Sequence, residues 1–341
     1  MRLATLLLAF CTGITLFSQP RVLHFTSTSG FDHGTRNVSY AMFQSISTEI
    51  GATVDDAPTA DVFSDPGSLA QFDAIVFSNT SGNAILDTDQ RTNFENWITS
   101  GGHVLGIHAA SDTYRHSTAN GNNTGTWDYY AELIGASVQE NPNHVSGTPS
   151  YSMQHTGMHA STANLPDPWV KNEEYYYWEG GYYDLANVEV LRVEETTGSN
   201  GQVNSYDAPR PMSWYRELPN GSRVFYTALG HAVENYTSDA LFRTHIRDGL
   251  AWLLGVSVWI SDGPATQAVR LAPNPASNQI TVSAPDEMRG AILRVRDVTG
   301  REVLVRRIDR DPMVLNVEGL RAGGYLLTMG EHFRAPVLIV R

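Results

Sequence analysis

The stretch from residue 101 to 112, GGHVLGIHAASD, constrains this chain more than any other. His103-Val104-Leu105-Gly106-Ile107 reads as a short buried strand, and the small residues around and after it predict a sharp turn at its carboxyl end. In α/β proteins such a turn projects one side chain into the crevice at the carboxyl ends of the strands. A hydrolase elbow carries Ser or Cys at that point. Here it is His108, flanked by Gly106, Ala109, Ala110 and Ser111. An imidazole ligates metals and moves protons, but it is not a usual acyl-transfer nucleophile. The stretch predicts a site and removes the commonest chemistry for it.

The surrounding pattern supplies the fold class. Strand-like runs at residues 21–26, 72–78, 103–107 and 222–229 alternate with helical spacing at 41–50, 87–99, 127–133 and 240–254. Strands and helices alternating in this way predict an α/β fold with a parallel sheet whose loops gather at one end. Residues 141–206 are aromatic-rich and read as irregular, with a strand-like piece at 188–193. After Gly255 the character changes. Ser261-Asp262-Gly263-Pro264 reads as linker, and short alternating strands follow at 280–283, 291–297 and 325–329, predicting a small all-β unit. A prior of ~150 residues per domain also suggests about two domains for 341 residues.

The amino terminus bears on compartment. Met1-Arg2, an apolar run from Leu3 to Phe17 and then Ser18-Gln19-Pro20 predict a secretory signal peptide over residues 1–19. It is too short for a membrane span, and no other stretch is long and apolar enough to be one. The one cysteine, Cys11, falls within this segment, and the bulky Phe10 before it argues against a lipoprotein anchor. Thiol nucleophiles, disulfides and Cys-ligated zinc are therefore not expected in the mature chain. A formal charge of −13 argues against nucleic acid, which demands basic patches. Gly101-Gly102 and Gly180-Gly181 have neither the spacing nor the lysine of a phosphate loop, so no nucleotide cofactor is indicated.

Several segments, taken in order, resemble the ThuA-like family, named after a trehalose-utilisation protein. They are Gly30-Phe31-Asp32-His33, residues 77–82 (FSNTSG), residues 101–112, His159 ahead of Leu165-Pro166, Glu174-Tyr175-Tyr176, Pro211-Met212-Ser213-Trp214 and residues 223–231 (RVFYTALGH). The resemblance covers residues 20–258. It implies a class I glutamine-amidotransferase-like fold: a flavodoxin-like parallel sheet with helices on both faces, without the amidotransferase thiol, and an association with sugar metabolism. After a linker at 259–267, residues 268–341 resemble the type IX secretion C-terminal sorting domain of Bacteroidetes, a small β-sandwich. The matching segments are residues 271–276 (LAPNPA), residues 295–303 (VRDVTGREV) and residues 320–325 (LRAGGY). That resemblance implies secretion or cell-surface display, with the outer-membrane secretion machinery as partner.

His33, His108 and His231 each follow a predicted strand, so a parallel sheet would gather them at one crevice. With Glu174 from the aromatic segment they would make a site for a divalent Zn, Mn or Fe ion, or a set of acids and bases around a sugar. His108, Asp112 and Glu174 are the expected catalytic group, with Asp112 orienting the His108 imidazole. His33, Tyr176, Trp214 and His231 are the expected substrate contacts, the aromatic faces packing on a saccharide. His24, His103, Trp97 and Trp252 read as structural, His144 and His159 as rim residues, and His245 as helix surface. The expected function is action on a carbohydrate, enzymatic or by binding alone; a Cys-dependent amidotransferase is excluded by the missing thiol.

Overall fold

The computed structural model of the chain describes residues 19–120, 125–184, 186–195, 209–256, 270–284, 288–297, 301–329 and 333–341. Most of the signal segment with Cys11 and the linker at 259–267 lie outside these residues. The chain divides into two compact units after Val258.

The first unit is built on a nine-stranded sheet. Its strands are β1 (Arg21–Phe25), β2 (Thr53–Ala57), β3 (Ala74–Ser78), β4 (His103–Ile107), β6 (Ser150–His155), β7 (Trp169–Asn172), β9 (Val188–Val193), β10 (Arg210–Glu217) and β11 (Arg223–Thr227). A two-stranded ribbon joins β5 (Ala136–Val138) to β8 (Trp178–Tyr183). The helices are α1 (Arg36–Glu49), α2 (Pro66–Leu69), α3 (Thr88–Thr99), α4 (Asp128–Ile134), α5 (Val233–Thr237) and α6 (Ala240–Leu254). The sheet order is β2-β1-β3-β4-β11-β10-β9-β6-β7, and the first five strands run parallel. Every residue of β3 is buried, as expected of a central strand covered on both faces.

The expected parallel α/β sheet is present, but it continues further than the pattern predicted. Strands β10, β9, β6 and β7 extend it antiparallel; β6 and β7 come from the segment read as irregular, where β9 was the strand-like piece expected. Antiparallel pairs need no crossover helix, so the helix–strand alternation that marks the parallel half is missing there.

Helix boundaries follow local chemistry. Asp87 and Gln90 form a reciprocal capping box at the start of α3. Asp239 caps α6, and Gly255 ends it in the left-handed conformation. Phe242, Ile246, Leu250 and Leu253 of α6 pack into the core, as the spacing predicted. His245 does not lie on the helix surface: it is fully buried, donating from Nδ1 to the Ser161 carbonyl with Nε2 against Ser213 Oγ. Two hydrogen-bond partners are what allow an imidazole to be taken out of water.

The second unit is a β-sandwich of a three-stranded sheet, β12 (Arg270–Ala272), β13 (Gln279–Ser283) and β16 (Met313–Asn316), and a four-stranded sheet, β14 (Ile292–Asp297), β15 (Glu302–Arg307), β17 (Gly323–Met329) and β18 (Phe333–Ile339). Ile280, Val282 and Leu315 from the first sheet share one apolar core with Leu293, Leu327 and Val337 from the second. Among the described residues no helix is long and apolar enough to cross a membrane.

Gly249, inside α6, gives a test of the packing. Alanine is favoured over glycine in a helix interior by about 1 kcal/mol. A methyl at this position, however, meets the ring of the fully buried Phe225 at 2.5 Å, and overpacking costs about 1–3 kcal/mol. Gly249→Ala is expected to destabilise on balance, lowering Tm by a few degrees (about 2–4 °C per kcal/mol). A raised Tm would show that the α6–β11 contact gives way.

Candidate metal centre

Three strand ends on one side of the parallel sheet and one segment from its antiparallel extension build the site. The turn that follows β1 carries His33, β4 ends at His108, and the turn after β11 carries His231. Glu174 lies two residues beyond the end of β7. The predicted elbow is real: β4 runs straight into a 3-10 turn, His108–Asp112, and His108 itself holds φ 48°, a left-handed conformation that is uncommon outside glycine. Gly230 has φ 116°, and a Cβ there would fall 2.7 Å from Ile107, so the residue before His231 must be glycine.

His33, His108, Glu174 and His231 each present one ligand-capable atom, and these atoms all lie within 4.8 Å of one another. His108 is fully buried and stacks on Tyr176 at 4.4 Å between ring centroids. Its Nδ1 donates to the Ala228 carbonyl at 2.6 Å, and its Nε2 lies 3.2 Å from Glu174 Oε2. The same Oε2 is 3.3 Å from His231 Nδ1. His33 Nδ1 is buried without a hydrogen-bond partner among the described residues. Because a carbonyl only accepts, the Ala228 bond commits the ring's Nδ1 to carrying hydrogen. In the neutral imidazole, Nε2 is then a lone pair aimed at a carboxylate. Two acceptors face each other, and only a cation between them relieves the repulsion, whether a proton or a metal ion.

The titration behaviour follows from this crowding. Burial lowers His33 to about 3, with charge on His108 and His231 acting in the same direction. Burial pushes Glu174 upward, but hydrogen bonds and charges from His108 and His231 outweigh it and hold the carboxyl well below its usual range. His231 is raised by its hydrogen bond with Glu174, against the opposing effect of burial. The centre therefore supplies a carboxylate and an uncharged imidazole ready for a cation.

The other expected site residues fall into distinct places. Tyr176 is at the centre, buried beneath His108 as a stacking floor. Asp112 does not orient His108, because the Ala228 carbonyl occupies the nitrogen that would need it. Its carboxylate instead pairs with Arg115 Nε, and burial raises it against the pull of that guanidinium. Trp214 does not reach the site: at 0 % exposure it stacks on Tyr226 and donates to the Ile134 carbonyl. The stretch around it is strand β10, in which Trp214 is fully buried. His159 is likewise a core ring, lying against Tyr215 and Phe225. His144 does meet the site, with Nε2 at 3.3 Å from Glu174 Oε1. Glu173 escaped notice. Its buried carboxylate accepts the backbone N–H of Gly230 at 2.9 Å and of His231 at 3.2 Å, clamping the His231 turn to the segment that bears Glu174. The doubled Glu173-Glu174 ahead of an aromatic run was the available signal.

Fold and centre together describe an α/β protein with a His/Glu cluster able to hold a metal ion at the carboxyl ends of its strands. Residues 21–253 match the family described as "Trehalose utilisation", and the chain belongs to this ThuA family. Residues 270–334 match the family described as "Secretion system C-terminal sorting domain", which marks the protein for type IX secretion, to the outside or the cell surface, and for contact with that machinery. A ThuA-like protein from Bacteroides uniformis superposes with a TM-score of 0.54 at 18 % identity, over 70 % of this chain and 93 % of that one. Another from Parabacteroides merdae superposes with a TM-score of 0.50 at 16 % identity, over 73 % and 93 %. These likenesses speak to fold alone. Comparison with curated proteins gives no match.

A pH prediction follows from the histidines. His24, His159 and His245 are each lowered to about 4 by burial, and His33 to about 3. Below pH 6.5 the unfolded chain takes up protons at these rings and the folded chain does not. Metal-free protein is therefore expected to lose stability steadily between pH 6.5 and 4, each ring contributing up to about 1.4 kcal/mol per pH unit. The raised His231 opposes this, since its contribution is full below 6.5 and lost as pH rises. Urea midpoints across this window measure the balance; a flat profile would show that the buried rings protonate in place.

Proposed function

We propose that this exported ThuA-family protein is a metal-dependent enzyme acting on a carbohydrate at the centre formed by His33, His108, Glu174 and His231. The observation that carries the metal reading is the approach of His108 Nε2 and His231 Nδ1 to one carboxylate oxygen, with the buried, unpartnered His33 Nδ1 beside them. Three imidazoles and a carboxylate suit Zn, Mn or Fe as divalent ions, and a four-residue set leaves positions for water or substrate. When bound, such an ion would polarise a substrate oxygen or lower the pKa of a bound water.

The chain's own residues supply the remainder. Tyr176 and the Ala228 carbonyl hold the His108 ring in one orientation and one tautomer. Asp112 has its carboxyl raised by burial against the pull of Arg115, the direction a proton-carrying group needs. The saccharide reading rests on the family's association with trehalose utilisation and on Phe31. That ring is 66 % exposed and meets the His33 imidazole edge-on at 4.8 Å. It offers an apolar face to sugar C–H groups beside the metal ligands.

Metal analysis of purified protein tests this. Wild type is expected to hold near-stoichiometric divalent metal, His108→Ala and Glu174→Gln to lose most of it, and turnover of a saccharide panel that includes trehalose to fall in both by at least about 100-fold. Full metal in His108→Ala, or a wild type that stays empty after incubation with Zn, Mn and Fe salts, sinks the metal reading. Saccharide binding without turnover in metal-loaded wild type would make the protein a carbohydrate-binding module using the same crevice.

A further inference from the structure

The ligand-bearing turns follow β1, β4 and β11, but the sheet order there is β1-β3-β4-β11. Strand β3 stands among them and contributes no ligand. Its end is marked by Asn79, which holds φ 51° and is almost fully buried. Asparagine is one of the few residues that enters this left-handed region readily, and its side chain is then free to bond sideways to the neighbouring turns.

The bonds it makes are specific. Nδ2 lies 2.9 Å from Thr35 Oγ1, 2.9 Å from the Gly230 carbonyl and 3.1 Å from Tyr236 Oη, while Oδ1 accepts the Ala109 N–H at 3.2 Å. Thr35 is two residues beyond His33, Ala109 directly follows His108, and Gly230 directly precedes His231. One primary amide thus ties together all three histidine-bearing turns. Its grip on Gly230 is matched from the far side by Glu173, which accepts that residue's N–H.

We propose that Asn79 is a positioning residue that sets the mutual spacing of His33, His108 and His231, deepening the metal-centre reading on which it rests. The chemistry admits few substitutes, because the side chain must donate toward a carbonyl and accept from an N–H at once. A carboxylate would keep the Ala109 bond but turn an acceptor toward the Gly230 carbonyl. An alanine would release all three turns and leave buried groups unpaired. Partners one step removed from a metal characteristically change affinity by about 10- to 100-fold when replaced.

The test uses Co(II) alone as probe on the full chain, because its visible spectrum reports coordination geometry. Wild type, Asn79→Ala and Asn79→Asp are compared with Ile246→Val, a core change that lowers stability without touching the turns. Both Asn79 variants are expected to bind Co(II) about 10- to 100-fold more weakly and with altered bands, while Ile246→Val keeps the wild-type spectrum. A folded Asn79→Ala protein with wild-type affinity and spectrum overturns the proposal; if that variant does not fold, Asn79→Asp decides by the same criterion. Should wild type itself take no Co(II), the metal reading fails on its own account. The ring resonances of His33, His108 and His231 in metal-free protein then decide the positioning role: shifts in all three on Asn79→Asp or Asn79→Ala substitution sustain it, and unmoved resonances overturn it.

Discussion

The hydrogen bond from His108 Nδ1 to the Ala228 carbonyl, 2.6 Å long in a fully buried setting, is the interaction on which the site depends. It crosses from the end of β4 to the end of the neighbouring strand β11, so the sheet's own pairing delivers both partners. By using the proton on one nitrogen it fixes the tautomer, and the Tyr176 ring beneath fixes the plane. Everything that faces Nε2 must then answer to a lone pair. Glu174 alone would be a poor neighbour for it, and the carboxylate is tolerated there because cationic or metal-bound states of the cluster are available.

How much of this was legible in the sequence depended on whether a residue's role is local. His33, His108 and His231 announced themselves because each follows an apolar run, and parallel strands send such residues to one end whatever the details of packing. The elbow was visible as small residues around a histidine. Trp214 and His245 were misplaced because which way a polar or aromatic side chain faces is set by tertiary partners, such as the Ser161 carbonyl for His245 and the Ile134 carbonyl for Trp214. In residues 141–206 only β9 showed as a strand-like piece; β6, β7 and β8 stayed hidden because antiparallel strands need no helix between them to mark them off. Glu173 and Asn79 were harder still, since their importance lies in contacts more than 50 residues away along the chain, from Glu173 to Gly230 and from Asn79 to Gly230.

The donor set also suits the destination. The sorting domain sends this protein out of the reducing cell interior, where thiols are liable to oxidation. The chain's one cysteine is Cys11, far from the centre in sequence, and the cluster uses nitrogen and oxygen donors only. Imidazole and carboxylate are redox-inert, so a centre built from them survives export unchanged.

The metal-free centre cannot be electrostatically neutral in all its parts. Glu174 stays ionised because His108 and His231 reward its charge, and His231 is pulled toward the protonated form by the same carboxylate, while burial and its neighbours keep His33 uncharged. A proton near Glu174 would lie where the ligand atoms converge. A divalent ion bound at these atoms would compete with protons, coupling its binding to proton release. Hydrogen bonds from Asn79, Glu173 and the Ala228 carbonyl reach the turns that carry the imidazoles. A cation held at this point would meet four ligand-capable atoms already gathered where the strands end.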